Sequence, residues 1–577
     1  MPASLATDLR GRPVDGRPPS RDPAGILVVS LALAGAALLL YQWAGQLPLW
    51  LDEEMLAINL RARALGELRG RLWLAQAAPF GWLALQRLVL VAAGTGEAAL
   101  RLVPLLFGLG TLVAAVWIGR RWLGGTGAAV LALLCAFGPW LAYHAVELKP
   151  YSADAFWGLL LPALAAWALE DEGRGDIRRG PERATAWWAV AAVAHWFGTG
   201  ALLVTPACAT VLHATLWKRH GLRASALAAL PSLAWALSLG LHYAVALQYA
   251  VGHDYLQAYW KFALPPAGVG LTETLAWLGS RLHPLAVKPI GTRHSVLLWA
   301  LVTFGLVVAI RKRPPAGLLL AALPLSAFAW AGIRAVPMFE RLSLWVVPAV
   351  YVSVGVAAGA LASIAWRGIA RRQLMALAAA AAGLVAAVVV CADVTRQGWV
   401  SLTQPPGDSN HNLDDRGGVR WLLERAEPGD AVLTTHLALP AVWWYGNIPL
   451  PALEEAREGT WRGGGGARRL PVFEAQPSGG WPCESLPASL GRPPRVLVYF
   501  GFRFDDWPGG YDDVLFARLA EAGEVVAYRT FSEAGAAMIV DFRRPPAPGS
   551  ALPNRPGREP AAVVPAGCVA AAPARAW

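Results

Sequence analysis

The chain has 577 residues, of which 56% are apolar and only 15% charged, whereas ordinary globular chains are about 25% charged. That balance excludes a soluble enzyme built from several globular domains. The formal charge of +11 comes without a basic run interleaved with aromatics, so nucleic acid is excluded as a partner and the charge reads as a topology signal.

Residues 1–23, rich in Arg, Pro and Gly, read as a disordered cytoplasmic tail. The apolar stretch after them is too long for a signal-peptide core and lacks a clear cleavage site, so 26–44 is expected to be an uncleaved first span. Further spans are expected near 101–119, 127–146, 151–169, 186–198, 200–217, 224–248, 295–310, 316–335, 342–365 and 374–394, about 11 in all. Together these define a polytopic α-helical membrane protein, and its 28 Trp suit the membrane-water interface. Segment 79–93 is short and interrupted by Gln86 and Arg87, so it is expected to lie in the interface, within a first outer loop over 45–100. With that segment left uncounted, the inner connections carry about twice the Lys and Arg of the outer ones after the first loop. Counting it as a span would invert every later segment. The N-terminus is therefore placed inside and the region after 397 outside.

Residues 398–543 read as a periplasmic α/β module. A helix is expected over 414–426, a strand over 431–434, a helix in "LALPAVWWYG", a buried strand in "RVLVYF", a helix over 511–522 and two strands over 524–543. "WRGGGGARR" reads as a flexible connector and 544–577 as a disordered Pro/Ala tail. Neither a GxGxxG fingerprint nor a Walker loop is present, which disfavours nucleotide-driven chemistry. Cys135, Cys208 and Cys391 lie in apolar segments where a thiol packs as a small hydrophobe, and Cys483 and Cys568 are the one candidate disulfide.

Three places carry candidate chemistry. In "LWLDEEMLAINL", Asp52, Glu53 and Glu54 follow the first span closely. Adjacent carboxylates repel unless a cation, metal or substrate offsets them, so they are a candidate base or metal site, against a solvated acidic helix start. In "YHAVELKPYSADAF", Glu147, Lys149, Tyr151 and Asp154 lie between two spans. Lys149 is either a contact for an anionic headgroup or an interface anchor, and Asp154 either lines a wet cavity or is a structural partner of Tyr151 or a neighbouring helix. In "IRAVPMFERLSLWVVP", Arg341 offers two donors to one phosphate, unless it merely pairs with Glu340. Outer residues 249–294 add His253, Asp254, Lys261, Glu273, Lys288 and Arg293, too scattered to rank, and no HxxxH or HExxH spacing supports zinc.

In order along residues 25–366, these motifs resemble the polyprenyl-phosphate-sugar-dependent membrane glycosyltransferases of the GT-C fold, the superfamily of protein O-mannosyltransferases and lipid A aminoarabinose transferases, in its bacterial branch. "LWLDEEMLAINL" is similar to the family's Asp-Glu motif, "AQAAPFGWLALQRLVLVAAGTGEAALRLVPLLFGLGTL" to its re-entrant segment and second span, "ELKPYSADAF" to its Lys-x-Tyr-Ser element and "MFERLSLWVVP" to its late Arg-Leu element. "PGDAVLTTHLALPAVWWYG" looks like the module appended in bacterial members. Glu54 is an addition to the pattern, and 249–294 matches no motif. The resemblance implies a GT-C-like bacterial inner-membrane enzyme that moves a sugar from a polyprenyl-phosphate donor to a glycan, lipid or protein acceptor on the periplasmic face, with inversion. Asp52 would then be the catalytic carboxylate, Glu53 would position the acceptor or the loop, and Lys149, Arg341 and Tyr151 would hold the donor phosphate. Glu147 and Asp154 are secondary candidates. No cofactor is implied, and a divalent metal remains open. A transporter or flippase for a lipid-linked anion would use the same basic residues but needs access from both sides, and no half-to-half repeat is evident. An assembly factor acting through its outer module is the third class.

Overall fold

The computed structural model describes residues 22–170, 179–403, 413–446, 463–465, 470–475, 485–502, 511–531 and 535–546. Residues 1–21 of the expected N-terminal tail, the Cys483–Cys568 pair and nearly all of the Pro/Ala tail lie outside the described residues, while Asp22 and Pro23, expected in the tail, cap and open the first helix. The other cysteines, Cys135, Cys208 and Cys391, are free and buried.

Within hydrocarbon every backbone N–H and C=O must be satisfied inside its own segment, so the apolar runs become helices. α1 (Pro23–Ala44) opens with Pro23 in its first turn and the Asp22 carboxylate accepting the Gly25 N–H at 3.0 Å. α2 (Leu51–Ala62) and α3 (Phe80–Ala93) lie in the long connection after α1. With 14 residues, α3 reaches about 21 Å, short of the roughly 30 Å hydrocarbon layer. The body continues with α4 (Leu102–Ile118), α5 (Gly124–Phe137), α6 (Pro139–Ala145), α7 (Tyr151–Ala168), α8 (Arg179–Ala194), α9 (Thr199–Ala229) and α10 (Ser232–His242). After α11 (Asp254–Tyr259) and α12 (Leu271–Leu285) come α13 (Ser295–Lys312), α14 (Pro314–Gly332), α15 (Val347–Arg371) and α16 (Leu374–Thr403).

Every expected span falls in helix, but the helices are not divided as the hydropathy suggested. Among the described residues seven helical stretches are long and apolar enough to cross a membrane, against about 11 separate spans expected. Two of the seven, Leu102–Phe137 and Thr199–Val251, run through local breaks; the first joins the expected 101–119 span to the start of the 127–146 one, and the second holds both 200–217 and 224–248. The second bends at Gly221, whose φ of 80° only glycine adopts cheaply. The segment expected over 127–146 is cut at Gly138 into α5 and α6, and α16 continues past the expected boundary at 397.

α15 is the axis of the body. Its Val347, Val350, Tyr351, Val354 and Ala358 share one core with Leu131 and Leu134 of α5, Leu298 and Val302 of α13, and Val390 and Val394 of α16. Ahead of it, the 3-10 segment Glu340–Val346 lies against α7 and α9, and two glycines let it approach. A Cβ on Gly158 would come within 2.1 Å of the Trp345 carbonyl oxygen, and one on Gly200 within 2.7 Å of the Trp345 Cβ.

The C-terminal module is a six-stranded mixed sheet in the order β2-β3-β1-β4-β6-β5. Its strands are β1 (Ala431–Thr435), β2 (Gly463–Gly465), β3 (Leu470–Ala475), β4 (Arg495–Phe500), β5 (Glu524–Thr530) and β6 (Ala536–Asp541). β1 runs parallel to β3 and β4, and the other pairings are antiparallel. Two features were not expected: β3 itself, and the glycines of the supposed connector, which pair with β3 as edge strand β2. Helices α17 (Asp415–Glu424), α18 (Leu439–Tyr445) and α19 (Tyr511–Ala522) cover the sheet. Residues 496–500, "VLVYF", are apolar because both faces of the strand are covered. Val496, Val498 and Phe500 pack on Leu515 and Leu519 of α19, while Leu497 and Tyr499 join a core containing Leu56 and Leu60 of α2 and Trp82 of α3. The module is thus continuous with the membrane body through α2.

Candidate active site

α2 sets out the three acids. Successive helical residues are rotated by about 100°, so Asp52, Glu53 and Glu54 point in three directions and meet three sets of partners. Asp52 accepts from Arg341 Nη2 at 3.0 Å and lies 3.9 Å from Lys149 Nζ. The Asp52 and Arg341 side chains retain 20% and 18% exposure, so this is the acid a solute can reach; Lys149, at 6%, lies behind it. Glu53 turns inward. It takes two donors from Arg101, Nε at 2.8 Å and Nη2 at 2.5 Å, with the Leu148 N–H at 2.7 Å and the Trp50 N–H at 3.2 Å. These partners are structural: Glu53 ties the start of α2 to the loop that presents Lys149.

Glu54 turns towards the C-terminal module and is buried beside Asp415 of α17. Asp415 also accepts the Tyr499 hydroxyl from β4. Burial first, then the Asp415 and Glu53 charges, pushes the Glu54 carboxyl well up. Burial likewise pushes Asp415 up to about 7 against the Tyr499 hydrogen bond. The pair therefore holds a proton into the neutral range, which replaces the cation that three adjacent acids lead one to seek.

Lys149 donates to Gln76 Oε1 at 2.5 Å. Gln76 follows Leu74 and Ala75, both left-handed with φ of 58° and 53°, a conformation costing about 1–2 kcal/mol per non-glycine residue that the packed loop sustains. Burial, and then Arg341, lowers the Lys149 ammonium, while Asp52 acts in the other direction. Arg341 sits among three rings, with Trp50 at 5.9 Å, Tyr151 at 6.0 Å and Trp260 at 5.6 Å from its guanidinium carbon. The Glu340–Arg341 alternative is not what forms: Glu340 pairs with Lys288 at 3.5 Å.

The secondary candidates divide. Glu147 stays beside the site, bonded to His144 and accepting from Trp50 Nε1 at 3.0 Å. Burial alone would raise its carboxyl, but His144, Arg341 and Lys149 outweigh it and hold Glu147 at about 2. Asp154 is turned away, accepting the Gly200 N–H at 2.7 Å at the start of α9. That is the structural role weighed for it, with a neighbouring helix as the partner. Sequence reasoning missed Trp50, Gln76, Arg101, His144 and Trp260. Arg101 alone had a visible signal, a lone cation at the mouth of an apolar run.

Among the described residues no group of three or more His, Cys, Asp or Glu side chains is placed to hold a metal ion. The charge of Asp52 is met by Arg341 and Lys149 instead. The arrangement joins an accessible carboxylate to two cations suited to an anionic oxygen, at the junction of a helical membrane body and the C-terminal module.

This is a multi-pass membrane protein with the GT-C fold. Among solved structures it is similar to ArnT from Cupriavidus metallidurans bound to undecaprenyl phosphate, with a TM-score of 0.50 and 14% identity, over 89% of this chain and 97% of that one. It is also similar to the same protein in the apo state, with a TM-score of 0.49 and 14% identity over 90% and 98% of the two chains. A third likeness is to the oligosaccharyltransferase AglB from Archaeoglobus fulgidus in complex with an inhibitory peptide and a dolichol-phosphate, with a TM-score of 0.46 and 12% identity over 88% and 73%. No family model and no curated relative matches the sequence.

Proposed function

We infer that the chain is an inverting glycosyltransferase of a bacterial inner membrane, moving a sugar from a polyprenyl-phosphate donor to a glycan, lipid or protein acceptor on the periplasmic face. The observation that carries this reading is the meeting of Asp52, Arg341 and Lys149 on a fold shared with an ArnT that binds undecaprenyl phosphate. The charge bias of the loops supports a cytoplasmic N-terminus and a periplasmic module.

Arg341 and Lys149 neutralise Asp52. A donor phosphate competes for both cations, and burial of its prenyl chain adds about 0.8 kcal/mol per CH₂. Asp52 is then free to accept the proton of the acceptor hydroxyl as that oxygen bonds to the anomeric carbon. The bond from the anomeric carbon to the phosphate oxygen breaks on the opposite face, and the lipid phosphate leaves with the electron pair. Arg341 forks onto the charge that develops there, Lys149 adds a second cation, and the Tyr151 ring supports the guanidinium. Glu53 positions the loop rather than the acceptor, since its oxygens are taken by Arg101 and two backbone N–H groups.

The test is to incubate the purified full chain with a panel of undecaprenyl-phosphate sugars and acceptors and measure undecaprenyl phosphate release. Turnover that is abolished in Asp52→Asn, with donor binding intact, is expected. Lipid carried across a vesicle membrane without cleavage would establish the transporter reading instead, and full turnover in Asp52→Asn would remove Asp52 from its role.

A further inference from the structure

The outer segment after Val251 matches no motif, yet it walls one side of the Asp52 cluster. α11 and the 3-10 turn Trp260–Ala263 present Tyr255, Tyr259 and Trp260 in succession. The segment is pinned at both ends. Arg71 Nε donates to His253 Nε2 at 3.3 Å, and the Met338 N–H donates to the Ala263 carbonyl at 2.9 Å, three residues before Arg341. Between these pins Trp260 lies over the Arg341 guanidinium at 5.6 Å, and Tyr259 meets Trp260 edge to face at 4.9 Å. Tyr255 and Tyr259 are stacked, with centroids 6.1 Å apart and planes within 18°. Although His253 and Ala263 are buried at the two ends of the segment, Tyr255 and Tyr259 remain 39% and 38% exposed. Asp52 is near enough to Tyr255 that its charge adds to burial and Tyr259 in raising the phenol.

This inference rests on the functional reading above. A sugar in transfer occupies the interval between the phosphate cations and the carboxylate that serves the acceptor, and the aromatic segment spans that interval, with Trp260 at Arg341 and Tyr255 towards Asp52. One face of a pyranose is a patch of C–H groups rimmed by hydroxyls. Stacked phenols offer a flat, stiff surface for the first and polar ends for the second. A prenyl chain in the same place would strip water from Asp52 and Arg341 and return no hydrogen bond. We propose that Tyr255 and Tyr259, buttressed by Trp260, form the face against which the pyranose of the donor lies, and so select the sugar.

The test compares two probes on the full chain in lipid nanodiscs: undecaprenyl phosphate alone, and undecaprenyl-phosphate mannose, glucose or galactose, whichever is turned over. Tyr255→Ala and Tyr259→Ala should each bind undecaprenyl phosphate as the unaltered chain does, but weaken the sugar-bearing lipid by about tenfold. Tyr255→Phe and Tyr259→Phe, which keep the ring, should recover most of that loss and report on folding of the segment. Equal weakening of both lipids would assign the wall to the prenyl chain or to structure, and no weakening of either would remove it from the site; both outcomes overturn the proposal. Should the unaltered chain bind no undecaprenyl phosphate, the functional reading falls and this inference with it, whereas lipid binding to which a sugar adds nothing defeats the inference alone.

Discussion

Replacing Arg101 by Met should loosen the loop that carries Lys149, although neither residue touches the other. Arg101 and Glu53 are both buried, joined by two hydrogen bonds, and Arg101 also donates to the Leu47 carbonyl at 2.5 Å and the Pro48 carbonyl at 3.0 Å. Removing the guanidinium leaves the Glu53 anion with only the Leu148 and Trp50 N–H groups. Breaking one side of such a pair costs about 3–5 kcal/mol, chiefly the uncompensated charge, and a stranded buried carbonyl adds about 1 kcal/mol or more. Glu53→Gln strands Arg101 in the same way. The double variant Glu53→Gln with Arg101→Met removes both charges of the pair, so it should lose less than the sum of the singles, by about 2 kcal/mol or more. Unfolding titrations of the four purified forms measure this coupling, and the affinity for undecaprenyl phosphate reports whether Lys149 stays in place. Singles that add to within about 0.5 kcal/mol would refute the claim that this pair sets the loop.

Further outcomes follow from the same geometry. Arg341→Met should weaken undecaprenyl phosphate binding by at least about tenfold and Arg341→Lys by less, because Lys keeps the charge and loses the fork; equilibrium binding checks both. Glu54 and Asp415 have carboxyls raised above their unfolded values, near 4 for Asp. The contribution of Asp415 to docking of the module is therefore complete below about pH 4 and is lost as pH rises through about 7, and that of Glu54, raised in the same direction, is likewise lost on the alkaline side. Glu54→Gln or Asp415→Asn should flatten that alkaline decline in melting temperature, and an unchanged pH profile would count against the shared proton. Gly158→Ala should push the Trp345 segment and Arg341 with it, lowering donor affinity more than Gly94→Ala, whose added Cβ meets nothing within 4 Å although its φ of 88° strains it.

What the sequence exposed and what it concealed follow different physics. Long apolar runs determine helices almost by themselves, so the body was legible, whereas breaks at Gly138 and Gly221 depend on packing and local φ that hydropathy does not register. Asp52, Lys149 and Arg341 stood out because charge beside an apolar span is costly and rare. The division among Asp52, Glu53 and Glu54 was invisible, since it depends on which way α2 turns and on Arg101 and Asp415, 48 and 361 residues away in sequence from their respective partners. β3 was hidden by Pro471 and Glu474 in a short run, which acquires strand character from parallel pairing with β1. The Tyr255–Trp260 wall has no periodic signature, because its aromatics earn their place from a neighbour elsewhere in the chain.

α2 works as an angular distributor. One step along it sends a carboxylate to the solvent-reachable cations, the next to the body and the third to the sheet. Deleting a single residue between Trp50 and Asp52 would turn the helix by about 100° and hand each acid a neighbour's surroundings. The charge total would be unchanged while the reachable anion, the interior pair and the protonated contact were all misdirected together. A segment of twelve residues thereby keeps reactivity, loop geometry and module docking in one register, and none of the three can drift without the other two.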